Sequence, residues 1–213
     1  MKKGLTFKKV FEKLSPLFPD AMNEENNSDP FFVLISTILS HRTKDEVTEE
    51  AIKRVKERIK GPQDLLAIPQ KELESLIFPV GFYKNKARIL KDIAQTIVNV
   101  LGGRVPDTFE ELLKLKGVGH KTANLVLSRA FGKPAICVDT HVHRISNRMG
   151  LVRTKTPQET EIELKEKMPK KYWKNYNGLL VAFGKNLCKP ISPLCSKCPL
   201  YKECPRIGVV RWR

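Results

Sequence analysis

Apolar residues recur every three or four positions along almost the whole of this chain, and that spacing constrains the fold more than any other feature. Phe7, Val10, Phe11 and Leu14 fall at i, i+3, i+4 and i+7 behind Thr6, a residue type that caps helix N-termini. Thr43-x-x-Glu46 has capping-box spacing, and Val47, Ala51, Val55 and Ile59 then step by four until Gly61-Pro62 ends the run. Ile89, Leu90, Ile93, Ile97 and Leu101 form another stripe, closed by Gly102-Gly103. The same spacing predicts helices at about 107–115, 120–131, 140–149, 157–168 and 172–186. Only Ala135–Val138 hints at an extended segment. The pattern predicts an all-α protein. The best boundary candidates are the Asn/Asp/Glu-rich residues 20–30 and the Gly132-Lys133-Pro134 turn, giving a compact helical core between them and a second unit made from both ends of the chain.

With 213 residues the chain can bury one large core or two small ones. It carries 39 Lys+Arg against 23 Asp+Glu, a formal net charge of +16. Such a surplus favours a polyanionic partner, because neutralising phosphates releases counterions. The longest apolar run, Phe31–Leu39, is about half the 20 residues that a spanning helix needs, so it reads as a buried helix. The N-terminus MKKGLTFKKV lacks an apolar core and a small-residue cleavage site, so no signal peptide is expected. These features point to a cytosolic chain, where disulfides are rare.

Four of the five cysteines crowd into the tail as Cys188, Cys195, Cys198 and Cys204, spaced C-x6-C-x2-C-x5-C. Thiols this close in a cytosolic chain argue for a metal site. Four sulfurs suit tetrahedral zinc or an iron–sulfur cluster. The single C-x2-C and the long, uneven outer spacings fit a cubane better than a zinc ribbon. Cys137 sits among apolar residues and reads as a small buried hydrophobe.

Two helical stretches flank Gly117-Val118-Gly119, which reads as a helix-hairpin-helix. Its glycines can adopt positive φ, Val118 is expected to tuck into the core, and the N-terminus of the second helix presents N–H groups to a phosphate. Lys121 then has two readings. It is a phosphate contact, or, with its pKa lowered by surroundings of this kind, a nucleophile. Asp139 either takes a proton from that amine and steadies charge on a sugar, or caps the helix that starts near Thr140.

The Leu115–Ala123 hairpin with its lysine, the segment Val138-Asp139-Thr140-His141 and the four-cysteine spacing together resemble the endonuclease III branch of the helix-hairpin-helix DNA glycosylases. The likeness also takes in Leu39-Ser40-His41-Arg42-Thr43-Lys44-Asp45 and Gly81-Phe82-Tyr83-Lys84-Asn85-Lys86-Ala87. It implies two helical domains with a DNA cleft between them. One is a six-helix barrel over 22–136 holding the hairpin at about 107–131; the other, from 1–21 and 137–213, carries a 4Fe–4S cluster on Cys188, Cys195, Cys198 and Cys204. It implies a monomeric cytoplasmic, nucleoid-associated base excision repair enzyme. Its partner is double-stranded DNA bearing damaged pyrimidines or abasic sites, and no membrane is involved.

Carried onto this sequence, the resemblance implies that Lys121 attacks C1′ of the damaged nucleotide, assisted by Asp139, and that β-elimination cuts the strand on the 3′ side. Base chemistry of this kind needs the nucleotide flipped out. Arg42 aligns with the side chain that fills the gap, and Phe82 with a wedge against the orphaned partner base. Further DNA contacts are implied for Gly117, Val118, Gly119, His120, His141 and Lys189. The chain departs from the family in having Lys116 where proline is usual, and only Lys189 as a basic residue between the first two cysteines, with Pro190 and Pro193 stiffening that loop.

Overall fold

The computed structural model describes residues 4–22 and 29–213. The described residues form eleven α-helices and no strand. In chain order the helices are α1 (Phe7–Leu14), α2 (Pro30–Ser40), α3 (Asp45–Arg58), α4 (Pro62–Ala67), α5 (Gln70–Ile77), α6 (Tyr83–Asn99), α7 (Phe109–Lys114), α8 (His120–Phe131), α9 (Thr140–Arg148), α10 (Pro157–Lys167) and α11 (Trp173–Asn186). The all-α expectation is met, and Ala135–Val138 is buried coil. No described helix is long and apolar enough to cross a membrane.

The chain divides into two compact units, Met1–Glu25 with Pro134–Arg213, and Asn26–Lys133. Both boundaries are displaced by a few residues from the expected 21/22 and 136/137. The second one moves because Ile136 is buried in the core of the unit built from the chain ends. The first lies at residues 23–28, outside the described ones.

The Asn26–Lys133 unit contains α2–α8. Asp29 caps α2 by accepting from Phe31 N at 2.8 Å, and Pro30 opens the helix. Apolar on most sides, α2 buries Phe31, Leu34, Ile35, Ile38 and Leu39. It packs on α8, whose buried face carries the small residues Ala123, Ser128 and Ala130 that let the two backbones approach. The stripe on α6 buries Leu90, Ile93 and Ile97 against α4 and α5, two short helices that the periodicity did not reveal.

In the unit made from both ends, α1 behaves as its sequence implies: Thr6 accepts from Lys9 N at 3.3 Å, and Val10, Phe11 and Leu14 are buried. Phe11 stacks on Tyr172 with ring centroids 4.3 Å apart. Helices α9 and α11 form the heart of this unit, and the buried Ser146 and Tyr176 hydroxyls meet at 2.9 Å. Gly184 allows the close approach. A Cβ there would lie 2.2 Å from His141 Nδ1 and 3.0 Å from Ile145 Cδ1.

Candidate active site

Thr108 caps α7 and exchanges a hydrogen bond with Glu111 at 2.8 Å. Residues 115–119 then turn the chain into α8. Gly117 has φ +77, and a Cβ on it would sit 2.8 Å from Ile89 Cγ2, so both backbone conformation and space call for glycine. Val118 is buried, while Gly117 and Gly119 are exposed, as the hairpin reading expects. Gly119 is the N-cap of α8 and makes no side-chain cap, so the helix presents its first N–H groups outward. His120 is exposed, its ring edge-on to Phe109 at 5.1 Å. Lys116 is paired with Asp92 of α6 at 2.5 Å, an exposed link between the hairpin and that helix.

Lys121, second in α8 and half-buried, lines an open pocket of about 540 Å³ with Ser40, His41, Arg42, Phe82, Asn85 and Lys86. His41 Nε2 lies 3.3 Å from Thr122 Oγ1. Burial, with the positive charges of Lys121 and Lys86, pushes the His41 pKa down, so its ring is neutral at neutral pH. Burial also brings Lys86 down to about 8. Its ammonium donates to Leu39 O at 2.8 Å, His41 O at 2.5 Å and Thr43 Oγ1 at 3.0 Å.

Arg42 and Phe82 adopt left-handed backbone conformations, with φ 51 and 58. Phe82 is 65% exposed, and the Arg42 guanidinium carbon sits 5.9 Å from its ring centroid. The capping box expected at Thr43–Glu46 does not form. The N-cap of α3 is Lys44, without a side-chain cap, and the Thr43 hydroxyl instead donates to His41 O and accepts from Gly81 N and Lys86 Nζ. That tertiary demand outweighs the local cap.

In the other unit, Asp139 is the N-cap of α9, accepting from Val142 N at 2.8 Å. This anchored carboxylate remains half-buried. His141 follows on α9 and packs against α11 at Gly184, so part of its ring is turned into the protein. Lys189 is half-buried, and its carbonyl accepts from Arg148 Nη1 at 2.7 Å.

Cys188, Cys195, Cys198 and Cys204 line one pocket walled by Met149, Phe183, Leu187, Leu194 and Leu200. Arg148 holds its first loop, donating also to Pro190 O at 2.6 Å and to Cys188 Sγ at 3.7 Å. Burial pushes the thiol of Cys198 up to about 11, and those of Cys195 and Cys204 upward as well; neighbouring thiols add to each shift. Four thiolates there would need positive charge to hold them. Among the described residues no three His, Cys, Asp or Glu side chains converge tightly enough for a single metal ion. A soft all-sulfur set spread around an apolar pocket fits a polynuclear group better than one zinc ion. Cys137 is buried apart from them and its carbonyl accepts from Asn177 Nδ2, consistent with a core residue.

Sequence alone did not single out His41, Thr43, Gly81, Asn85 or Lys86 as site residues, although the motifs that carry the family resemblance contain all five. The glycine and the buried lysine look like any others until their partners are seen.

Residues 35–170 match the HhH-GPD superfamily of base excision DNA repair proteins. The chain is 52% identical to endonuclease III of Thermotoga maritima over 177 residues, 83% of each chain. It is 41% identical to endonuclease III of Bacillus subtilis over 194 residues, 91% of this chain and 89% of that one. Its structure is similar to that of an endonuclease III trapped as a covalent intermediate with DNA, with a TM-score of 0.86 and 39% identity over 95% of this chain and 97% of the other. The protein is therefore a helix-hairpin-helix DNA glycosylase of base excision repair, and DNA is its partner. Within that superfamily the chain belongs to the endonuclease III family.

Proposed function

We propose that this glycosylase is bifunctional, removing oxidised pyrimidines from double-stranded DNA and cutting the strand at the abasic site through Lys121. The observation that carries the reading is the position of Lys121: one residue past the N-terminus of α8, in a pocket shared with Arg42 and Phe82. The hairpin N–H groups hold a phosphate, so that the task of anchoring DNA does not rest on Lys121. The damaged nucleotide swings out of the stack, Arg42 fills the gap and Phe82 stacks on the orphaned base. His120, His141 and Lys189 add DNA contacts.

The deprotonated amine of Lys121 attacks C1′, the bond from C1′ to the base breaks, and the departing base takes up a proton. Asp139 accepts the proton that the amine must lose and stabilises positive character on the sugar. The sugar ring opens to give an imine between C1′ and Nζ. Loss of a C2′ proton then expels the 3′ phosphate, and water hydrolyses the imine to restore the amine. The covalent intermediate captured for the relative supports this route.

Cys188, Cys195, Cys198 and Cys204 would hold a 4Fe–4S cluster, whose iron would offset the charge of four thiolates and staple the loops at 188–204. The protein acts as a monomer at the nucleoid.

Borohydride trapping on duplex DNA containing thymine glycol tests the mechanism. A covalent adduct is expected for the wild type and none for Lys121→Ala. A wild type that binds this DNA but forms no adduct would leave water as the nucleophile, or no catalysis at all, and sink the lyase.

A further inference from the structure

Lys86 is buried, 6% exposed, in the first turn of α6. Its three N–H groups meet three acceptors: Leu39 O and His41 O on one side of Arg42, and Thr43 Oγ1 on the other. The same Thr43 hydroxyl accepts from Gly81 N at 3.2 Å, which carries the link into the loop of Phe82. There the two backbones touch: a Cβ on Gly81 would lie 2.7 Å from Arg42 O. A compact ammonium serves converging acceptors in this way; a planar guanidinium or a thioether does not.

We propose that Lys86 is a positioning residue for base extrusion: it ties the backbone around Arg42 to the Phe82 loop, so that both side chains enter the duplex as one preset wedge. The proposal rests on reading Arg42 and Phe82 as the extruding pair. The Lys86 ammonium bonds to Leu39 O, His41 O and Thr43 Oγ1, so its influence on Arg42 and Phe82 runs through the geometry of their loops. Ordering the two loops before DNA arrives removes that cost from the extrusion step.

The test uses full-length Lys86→Met and Thr43→Val, the second keeping the ammonium while removing the bridge to Gly81. Circular dichroism and thermal melting establish which variants are folded; should Lys86→Met not fold, the near-isosteric Thr43→Val carries the test. Extrusion is followed by the fluorescence of 2-aminopurine placed beside thymine glycol in a duplex. Chemistry is followed by cleavage of a single-stranded abasic oligonucleotide, where no base has to leave a stack. Extrusion is expected to slow by about a hundredfold in Lys86→Met, with a much smaller loss in single-strand cleavage. Thr43→Val is expected to show the same imbalance.

Wild-type extrusion in either folded variant, or equal losses in both assays, would overturn the proposal. Arg42→Ala and Phe82→Ala separate the two levels of inference. If both extrude normally, the wedge reading itself fails. If both fail to extrude while Lys86→Met and Thr43→Val extrude normally, only the role of Lys86 falls.

Discussion

Phe82 is held in a left-handed conformation that costs a non-glycine residue about 1 kcal/mol, and its ring is mostly in solvent. A side chain kept there returns little to stability, so its use lies in what it meets. Phe82→Gly is expected to leave the protein as stable as the wild type or more stable by about 1 kcal/mol, because the strain goes and little burial is lost. Cleavage of damaged duplex is expected to drop. Urea denaturation beside an activity assay checks both, and a matching loss of stability would mean that the ring is part of the core. Lys86 gives a pH signature. Its folded-state pKa of about 8 lies below the ordinary 10.5, so between those values the unfolded chain binds more protons than the folded one. Stability of the wild type relative to Lys86→Met is therefore expected to rise from pH 8 towards 10.5. Denaturation midpoints across that range test the sign, and a falling difference would contradict it.

The short helices depend on side chains brought from elsewhere. Arg54 of α3 donates to Leu76 O and Phe78 O at the end of α5, and Lys91 of α6 donates to Leu66 O and Ile68 O at the end of α4. Lys86 does the same for α2. Each basic group satisfies carbonyls that a helix C-terminus leaves unpaired, and its charge suits the negative end of the helix. This is why α1, α6 and α8 were legible as apolar stripes with recognisable ends, while α4 and α5 were not. Short α1 and α7 are announced by the Thr6 and Thr108 caps, whereas Gly61 and Pro69 give α4 and α5 no side-chain cap, and the groups that satisfy their far ends come from residues 22 to 25 positions away. Between α9 and α11 the decisive residue is Gly184. Gly184→Ala is expected to destabilise the protein by about 2 kcal/mol, since the new methyl overlaps His141 and presses on Ile145. Thermal unfolding measures it, and an unchanged midpoint would mean that α9 and α11 separate freely. Because α9 also carries Asp139 at its N-cap, the same variant is expected to lose activity.

Across the whole molecule the net charge of +16 sets how DNA is found. Affinity for undamaged duplex is expected to fall about a thousandfold between 50 and 200 mM salt, as counterion release requires when several phosphates are neutralised. A flat salt dependence in a binding titration would show that the charge does not face the nucleic acid. The sequence by itself determined the helical class, the glycine hairpin with Lys121 behind it and the four clustered cysteines, because each is written in neighbouring residues. Only the tertiary structure decided that Lys86 is buried, that the Thr43 hydroxyl serves two loops instead of a helix cap, and that Arg42 and Phe82 share a left-handed, paired arrangement. The physical reason is the reach of the contacts involved. The hydrogen bonds that fix those loops join residues 38 to 47 positions apart, and a local pattern holds no trace of them.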